Sequence, residues 1–297
     1  MASQAEIRQQ ITNQIIDALK RGTIPWRKPW INHENAGLPS NVISKKRYQG
    51  VNAILLGLMS ADQEYQSRYW GTYRQWKMLG GSVRRGEMGM RIVFYKPLKR
   101  QQMKADGSTQ DVNIPLMKTF VVFNSGQTTL DEYHVQNDHE PPSYCSDAFG
   151  EAESLIANTQ SDIRFGGNEA CYYPQGDFIQ MPHKSSFTSD SGFYEVMFHE
   201  LAHWSESRLG WEKDSYAMGE LVAEMSSCFV STELRIPQSG DFVEQHTAYL
   251  ASWLTELEND PKFIFKASSQ SSKATDFLLS FRNKTALVHE LDDEVPF

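Results

Sequence analysis

Residues 198–204 read FHELAHW, and this stretch decides how the second half of the chain folds. On a helix, His199 and His203 stand four residues apart and project from one face. Two imidazole nitrogens can then grip one divalent metal, and Glu200 can reach a water on it. A Zn²⁺-bound water with a carboxylate beside it is an attacking hydroxide at neutral pH. The five-residue pattern is short enough to arise by composition alone, and the alternative is an ordinary buried helix with two satisfied histidines. The surroundings favour the metal. Asp190 and Ser191 are good N-caps, and Phe193, Val196, Met197 and Leu201 make the helix largely apolar, as a buried active-site helix would be.

Downstream, GELVAEMSS (219–227) offers a third ligand on a second apolar helix. Its acid, small residue at i+3 and acid at i+4 (Glu220, Ala223, Glu224) resemble the thermolysin-like zincins. The resemblance implies that Glu220 binds the metal and Glu224 orients a histidine ligand from outside, with the reverse assignment as the alternative. His246 lies on the apolar face of DFVEQHTAYLASWLTELEND (241–260). It is a further alternative ligand in the manner of SprT-type repair proteases, although a satisfied core histidine is the commoner case. Three protein ligands and one open position describe a catalytic site. Zn²⁺ is the expected ion, with Mn²⁺ or another divalent ion open. Tyr216, His246 and Tyr249 are the candidates for stabilising a transition state.

The 297 residues admit one large domain or two, each with its own core. No apolar run is long enough to span a bilayer, and MASQAEIRQQ lacks the apolar centre of a signal peptide. Cys145, Cys171 and Cys228 are odd in number and fit no zinc-finger spacing, so a reducing cytoplasm is expected. The net charge of −8 hides an asymmetry. Residues 1–128 carry 19 Lys+Arg against 8 Asp+Glu, a balance of +11, and the remainder balances at −19. A basic half joined to an acidic half favours a polyanion as partner of the first.

Along that first half, Ile7, Ile11, Ile15 and Leu19 predict an amphipathic helix. Trp26 and Trp30 flank Arg27 and Lys28, and Lys45, Lys46 and Arg47 precede Tyr48. Trp70 and Tyr73 interleave with Arg74 and Lys77, and Arg84 and Arg85 form a pair. A strand is predicted at 91–95, followed by a polar loop at 99–118 and a partner strand. Bases stack on rings while Arg and Lys follow phosphates, so the interleaving suits single-stranded nucleic acid. Core burial is the commoner fate of tryptophan, and at least half of these aromatics are expected there. No Walker loop or helix-turn-helix is legible.

The expected fold is α+β in two domains. A small mixed α/β domain spans 1–130, a polar proline-bearing linker 131–146, and the metal-site domain 147–297. Within the latter, DFIQMP (177–182) is a candidate edge strand for holding an extended peptide, an ordinary hairpin being the alternative. The tail ends in Asp292, Asp293, Glu294, Val295, Pro296 and Phe297. It resembles the acidic tip of bacterial single-stranded-DNA-binding proteins, which implies docking to enzymes that recognise such tips.

The wider resemblance is carried by many motifs in one order. Pro29-Trp30, Asn41 with Tyr48-Gln49-Gly50-Val51-Asn52, Trp70 with Tyr73, Gly80-Gly81, Val83-Arg84-Arg85-Gly86-Glu87 and VFNSGQ (122–127) resemble the N-terminal domain of ArdC-type antirestriction proteins, which TraC-type primases share. IRFGGNEACYYPQGDFIQMP (163–182), HELAHW (199–204), GELVAE (219–224) and YLASWL (249–254) resemble the zincin-like domain of the same family. The resemblance implies non-specific single-stranded DNA binding and protection of incoming conjugative plasmid DNA from host restriction, in a protein that can travel with that DNA into the recipient. Two readings stand at this stage. The chain is a binding protein that coats the strand or occupies the restriction enzyme, its metal site structural. Otherwise it is a metallopeptidase, with Glu200 as base, acting on DNA-bound or DNA-crosslinked proteins.

Overall fold

The structure, a computed structural model, describes residues 3–27, 37–103, 109–130, 148–210, 215–238 and 247–283. Helix α1 (Gln4–Lys20) opens with a capping box. The Ser3 hydroxyl accepts from the Glu6 N–H, and the Glu6 carboxylate accepts from the Ser3 N–H. Ile11, Ile15 and Leu19 are buried, as their four-residue spacing predicts. Four strands follow, β1 (Ser40–Asn41), β2 (Tyr69–Thr72), β3 (Met90–Met103) and β4 (Thr109–Asn124). They form a sheet in the order β1-β2-β4-β3, with β1 parallel to β2 and the other pairs antiparallel. Helix α2 (Val51–Asp62) packs against β3, and α3 (Tyr73–Met78) continues directly from β2.

The expected loop at 99–118 is mostly strand, because β3 and β4 stay in register out to the pair Met103–Thr109. Ladder hydrogen bonds between backbones need no apolar side chains, so a polar stretch is no bar to a two-stranded ribbon. Close packing limits β2 elsewhere. A Cβ at Gly71 would sit 2.7 Å from Val42 Cγ1 and 3.1 Å from Trp76 Nε1. Gly71→Ala is therefore expected to cost about 1–3 kcal/mol, read as a lower denaturant midpoint. An unchanged midpoint would show that Val42 and Trp76 can move aside.

The second region begins with α4 (Ala148–Thr159) and a three-stranded sheet of β5 (Asp162–Phe165), β6 (Cys171–Tyr173) and β7 (Phe178–Met181). The order is β5-β7-β6, with β5 parallel and β6 antiparallel to β7. The segment DFIQMP is thus central, and β5 and β6 are the two edges. Alternation explains it: Ile179 and Met181 point into the core, fully buried, whereas β6 has one intermediate residue between two exposed ones. Helices α5 (Asp190–Leu209), α6 (Tyr216–Glu233), α7 (Thr247–Asn259) and α8 (Phe263–Leu279) complete the fold. Ser189, rather than Asp190 or Ser191, caps α5, its hydroxyl accepting from the Gly192 N–H. Gly210 ends that helix in the left-handed conformation at φ +63°. Helix α6 is buried from Ala217 to Thr232 and lies between α5 and α8.

Each region has an apolar cluster of its own, and the two also share one. One apolar cluster joins Ile11, Ile15, Trp26, Ile54 and Val93 of the first region to Leu221, Met225, Trp253 and Ile264 of the second. The charge asymmetry meets at the same junction. Lys20 pairs with Glu258, Arg47 with Glu233 and Asp276, and Arg68 with Glu233. Part of the excess positive charge of the first region is therefore spent on docking the acidic one. Among the described residues Cys171 is exposed and Cys228 buried, and no helix is long and apolar enough to cross a membrane.

Candidate metal centre

Helices α5 and α6 pack side by side and bring three side chains together. His199 Nε2 lies 3.2 Å from His203 Nε2, and the Glu220 carboxylate reaches them at 3.5 Å and 3.7 Å. One ligand atom from each falls within 4.8 Å of the others. A tetrahedral ion with ligands at about 2.0–2.1 Å holds its donor atoms roughly 3.3–3.4 Å apart, so the donor set fits a divalent metal. All three residues are buried. Burial opposes a charge on His199, but the Glu220 hydrogen bond and the fields of Glu200, Glu220 and Glu224 outweigh it, so its pKa lies above the ordinary imidazole value. Burial would raise the Glu220 carboxyl, and the two histidines hold it below the usual range instead. The negative field that favours a proton here favours a cation equally.

The supporting contacts are only partly those expected. His203 Nδ1 lies 2.7 Å from Glu206 Oε1. A carboxylate only accepts, so Nδ1 carries the hydrogen and Nε2 presents its lone pair. The i+3 spacing from His203 could have revealed Glu206. Glu200 Oε2 accepts the Tyr172 backbone N–H of edge strand β6 at 2.7 Å, a long-range contact invisible in the sequence. Glu224 is 2% exposed and bonds Arg27 Nε at 3.1 Å, while Arg27 Nη2 reaches Glu195 at 3.3 Å. Glu195 precedes His199 by one turn and Glu224 follows Glu220 by one turn. Arg27 therefore braces the two helices behind the site. Burial opposes its charge, but the Cys228 sulfur and the two carboxylates raise its pKa above the ordinary guanidinium value. On the open side, the Tyr216 and Tyr249 hydroxyls meet at 3.1 Å. His246 lies outside the described residues.

The expected nucleic-acid residues divide. Trp26 and Trp70 are 3% and 0% exposed, Trp26 edge-on to Trp253, so neither can receive a base. Arg27 is removed from that set by its buried ion pairs. Tyr48 is half-buried, its hydroxyl accepting from the Asn41 amide, and Arg47 is engaged with the acidic region. Arg84 is tied to Glu87 and to the Thr128 and Gly126 carbonyls. Half-buried and exposed positions remain. Lys45 Nζ stands 4.7 Å over the Tyr69 ring, Lys77 Nζ 5.9 Å over Tyr73, and Lys46, Arg74 and Arg85 are open to solvent. Tyr73 is 50% exposed. Lys28, Trp30 and the tail residues Asp292, Asp293, Glu294, Pro296 and Phe297 lie outside the described residues.

Two histidines and a carboxylate on packed helices, beside a small sheet whose edge strand touches the glutamate between the histidines, define a zincin-like metallopeptidase domain. Residues 150–270 match the family model of zincin-like metallopeptidases, and residues 5–123 match that of the N-terminal domain of anti-restriction factor ArdC. The chain is 35% identical to the antirestriction ArdC protein from plasmid R388. It superposes on the metal-free crystal structure of that protein with a TM-score of 0.77 and on the Mn(II)-bound one with 0.74, covering 93% of this chain and 98% of that one in each case. It is 33% identical to uncharacterized protein y4eC of Sinorhizobium fredii (strain NBRC 101917 / NGR234), over 92% of this chain and 91% of the relative. It is also 33% identical to DNA primase TraC of Escherichia coli, of which it spans 27%. The chain belongs to the ArdC antirestriction family.

Proposed function

We propose that this protein binds single-stranded DNA without sequence preference and protects incoming plasmid DNA from host restriction, with a divalent metal held by His199, His203 and Glu220. The observation that carries the reading is the match across both regions to an antirestriction protein that has been crystallised with Mn(II). The DNA-binding part is supported by the exposed pair Lys77–Tyr73 and the half-buried pair Lys45–Tyr69, with the exposed Lys46, Arg74 and Arg85. Rings there offer faces for bases and the cations offer partners for phosphates. Zn²⁺ suits the two-nitrogen, one-carboxylate set, and Mn²⁺ is the alternative. The metal supplies Lewis-acid chemistry when bound.

A second reading, proteolysis of a DNA-bound host protein such as the restriction enzyme, is favoured by one feature. Glu200 is not needed to hold a metal, yet it is buried and fixed by the Tyr172 N–H. That contact occupies Oε2 and leaves Oε1 as the atom that takes up a proton.

Single-stranded oligonucleotides are expected to bind the full-length protein more tightly than duplex, with affinity falling steeply as salt rises. Equal affinity for the two forms would remove the stacking argument. Protection itself is tested by plasmid transfer into a restricting host, comparing wild type with Glu200→Ala at matched expression. Undiminished protection assigns it to binding. Lost protection with DNA binding intact assigns it to Glu200-dependent chemistry. Failure of the wild type to protect overturns the antirestriction reading.

A further inference from the structure

A cavity of about 450 Å³, lined by none of the metal-centre residues, lies between α1, the start of α2, strand β3 and helix α8. Three cations from two separate elements face it: Arg8 of α1, and Lys262 and Lys266 at the start of α8. Two rings, Tyr95 of β3 and Phe265 of α8, line it too, with Gln49, Asn52 and Ser269 as its polar side chains and no Asp or Glu among the described residues. The Arg8 guanidinium meets the Gln4 amide oxygen at 3.4 Å, and neither Arg8 nor Lys262 forms an ion pair among the described residues. The wall is held stiffly. The Asn52 amide donates to the Val93 carbonyl at 2.7 Å and accepts the Val93 N–H at 2.9 Å, so its polar atoms are already engaged. Recognition then falls to the cations and the rings. Helix α2 adds to the positive field, since it starts at Gly50 without a side-chain cap.

We infer that this cavity is a binding site for one unstacked nucleotide of a single strand, with its phosphate among Arg8, Lys262 and Lys266 and its base against Tyr95 or Phe265. The inference rests on the single-strand reading above and adds a contact that the sequence did not suggest. Strand β3 is the edge of the sheet opposite β1, so the cavity is separate from the Lys45–Tyr69 surface. The volume lies within the range of small-ligand sites. A concave site of this kind takes a splayed base and excludes a base still paired in a duplex.

The experiment measures fluorescent oligo(dT) binding to the full-length protein across a salt series. Wild type is compared with Lys262→Ala/Lys266→Ala and with the charge-matched control Arg21→Ala/Lys273→Ala, whose cations lie outside the cavity. The cavity variant is expected to bind at least tenfold more weakly, with its salt slope reduced by about 1.4, from about 0.7 per lost contact on a single strand. The control is expected to match wild type. Tyr95→Ala is expected to weaken binding with the slope unchanged, because stacking releases no counterions. Photocrosslinking with 5-iododeoxyuridine, which reads position directly on wild type, is expected to label Tyr95 or Phe265. If the cavity variant binds like the control, or labelling is confined to other residues, the cavity assignment is overturned while the single-strand reading stands. If wild type binds no oligonucleotide, that reading falls and the cavity assignment falls with it.

Discussion

His203→Ala is expected to abolish stoichiometric binding of a divalent metal. The Nε2 atom of His203 lies 3.2 Å from that of His199 and 3.7 Å from the Glu220 carboxylate, so it is one corner of a three-donor set. Removing it leaves a single imidazole and one carboxylate, which cannot fix coordination geometry. Losing an outer partner of a ligand typically costs about 10–100-fold in metal affinity, so losing the ligand is expected to cost more than about 100-fold. Glu206→Ala, which removes the partner of His203 Nδ1 but no ligand, is expected to fall inside the 10–100-fold range. Glu200→Gln should retain the metal, because its carboxylate is fixed by the Tyr172 N–H and is absent from the donor cluster. Metal content after dialysis and titration with Zn²⁺ and Mn²⁺ separate the three variants. Wild-type affinity in His203→Ala would refute the ligand assignment.

Arg27→Met is expected to destabilise the protein by about 3–5 kcal/mol, because it leaves the buried carboxylates Glu195 and Glu224 without their counter-charge. For a chain of this size that corresponds to a fall of roughly 10 °C in melting temperature. Metal affinity should drop as well, by about 10–100-fold, since Glu195 and Glu224 lie one turn from His199 and Glu220. Combining Arg27→Met with Glu195→Gln and Glu224→Gln should recover much of the stability, because a buried ion network replaced as a whole is often neutral. Thermal melts and metal titrations on the same samples give both readouts. The sequence placed Arg27 on a DNA surface, and the opposite result decides between the two roles. Weaker single-strand binding with an unchanged melting temperature would restore the surface role.

Much of the candidate metal site was legible because its geometry is helical. His199, Glu200 and His203 are neighbours by spacing alone, and Glu220 with Glu224 repeats that spacing on the next helix. Burial was not legible. Trp26 and Trp70 carry the same composition signal as Tyr73, yet the first two lie in the core and Tyr73 is half exposed. A tryptophan flanked by cations looks alike whether the cations face water or an acidic partner. Here several face a partner within the same chain, since Lys20, Arg27, Arg47 and Arg68 all pair with acids more than 150 residues away. A net-charge map along the sequence cannot separate such internal docking from an external polyanion.

What the sequence determined by itself was therefore local: the helices and the side chains that share a face by periodicity. What only the tertiary structure decided was every pairing across distance. These include the shared core of the two regions, Tyr172 on Glu200, Arg27 behind both site helices, and the cavity assembled from α1, α2, β3 and α8. The physical reason is that spacing along one helix fixes direction within about a turn. Contacts between elements depend on how several faces pack at once, and no single stretch of the chain encodes that.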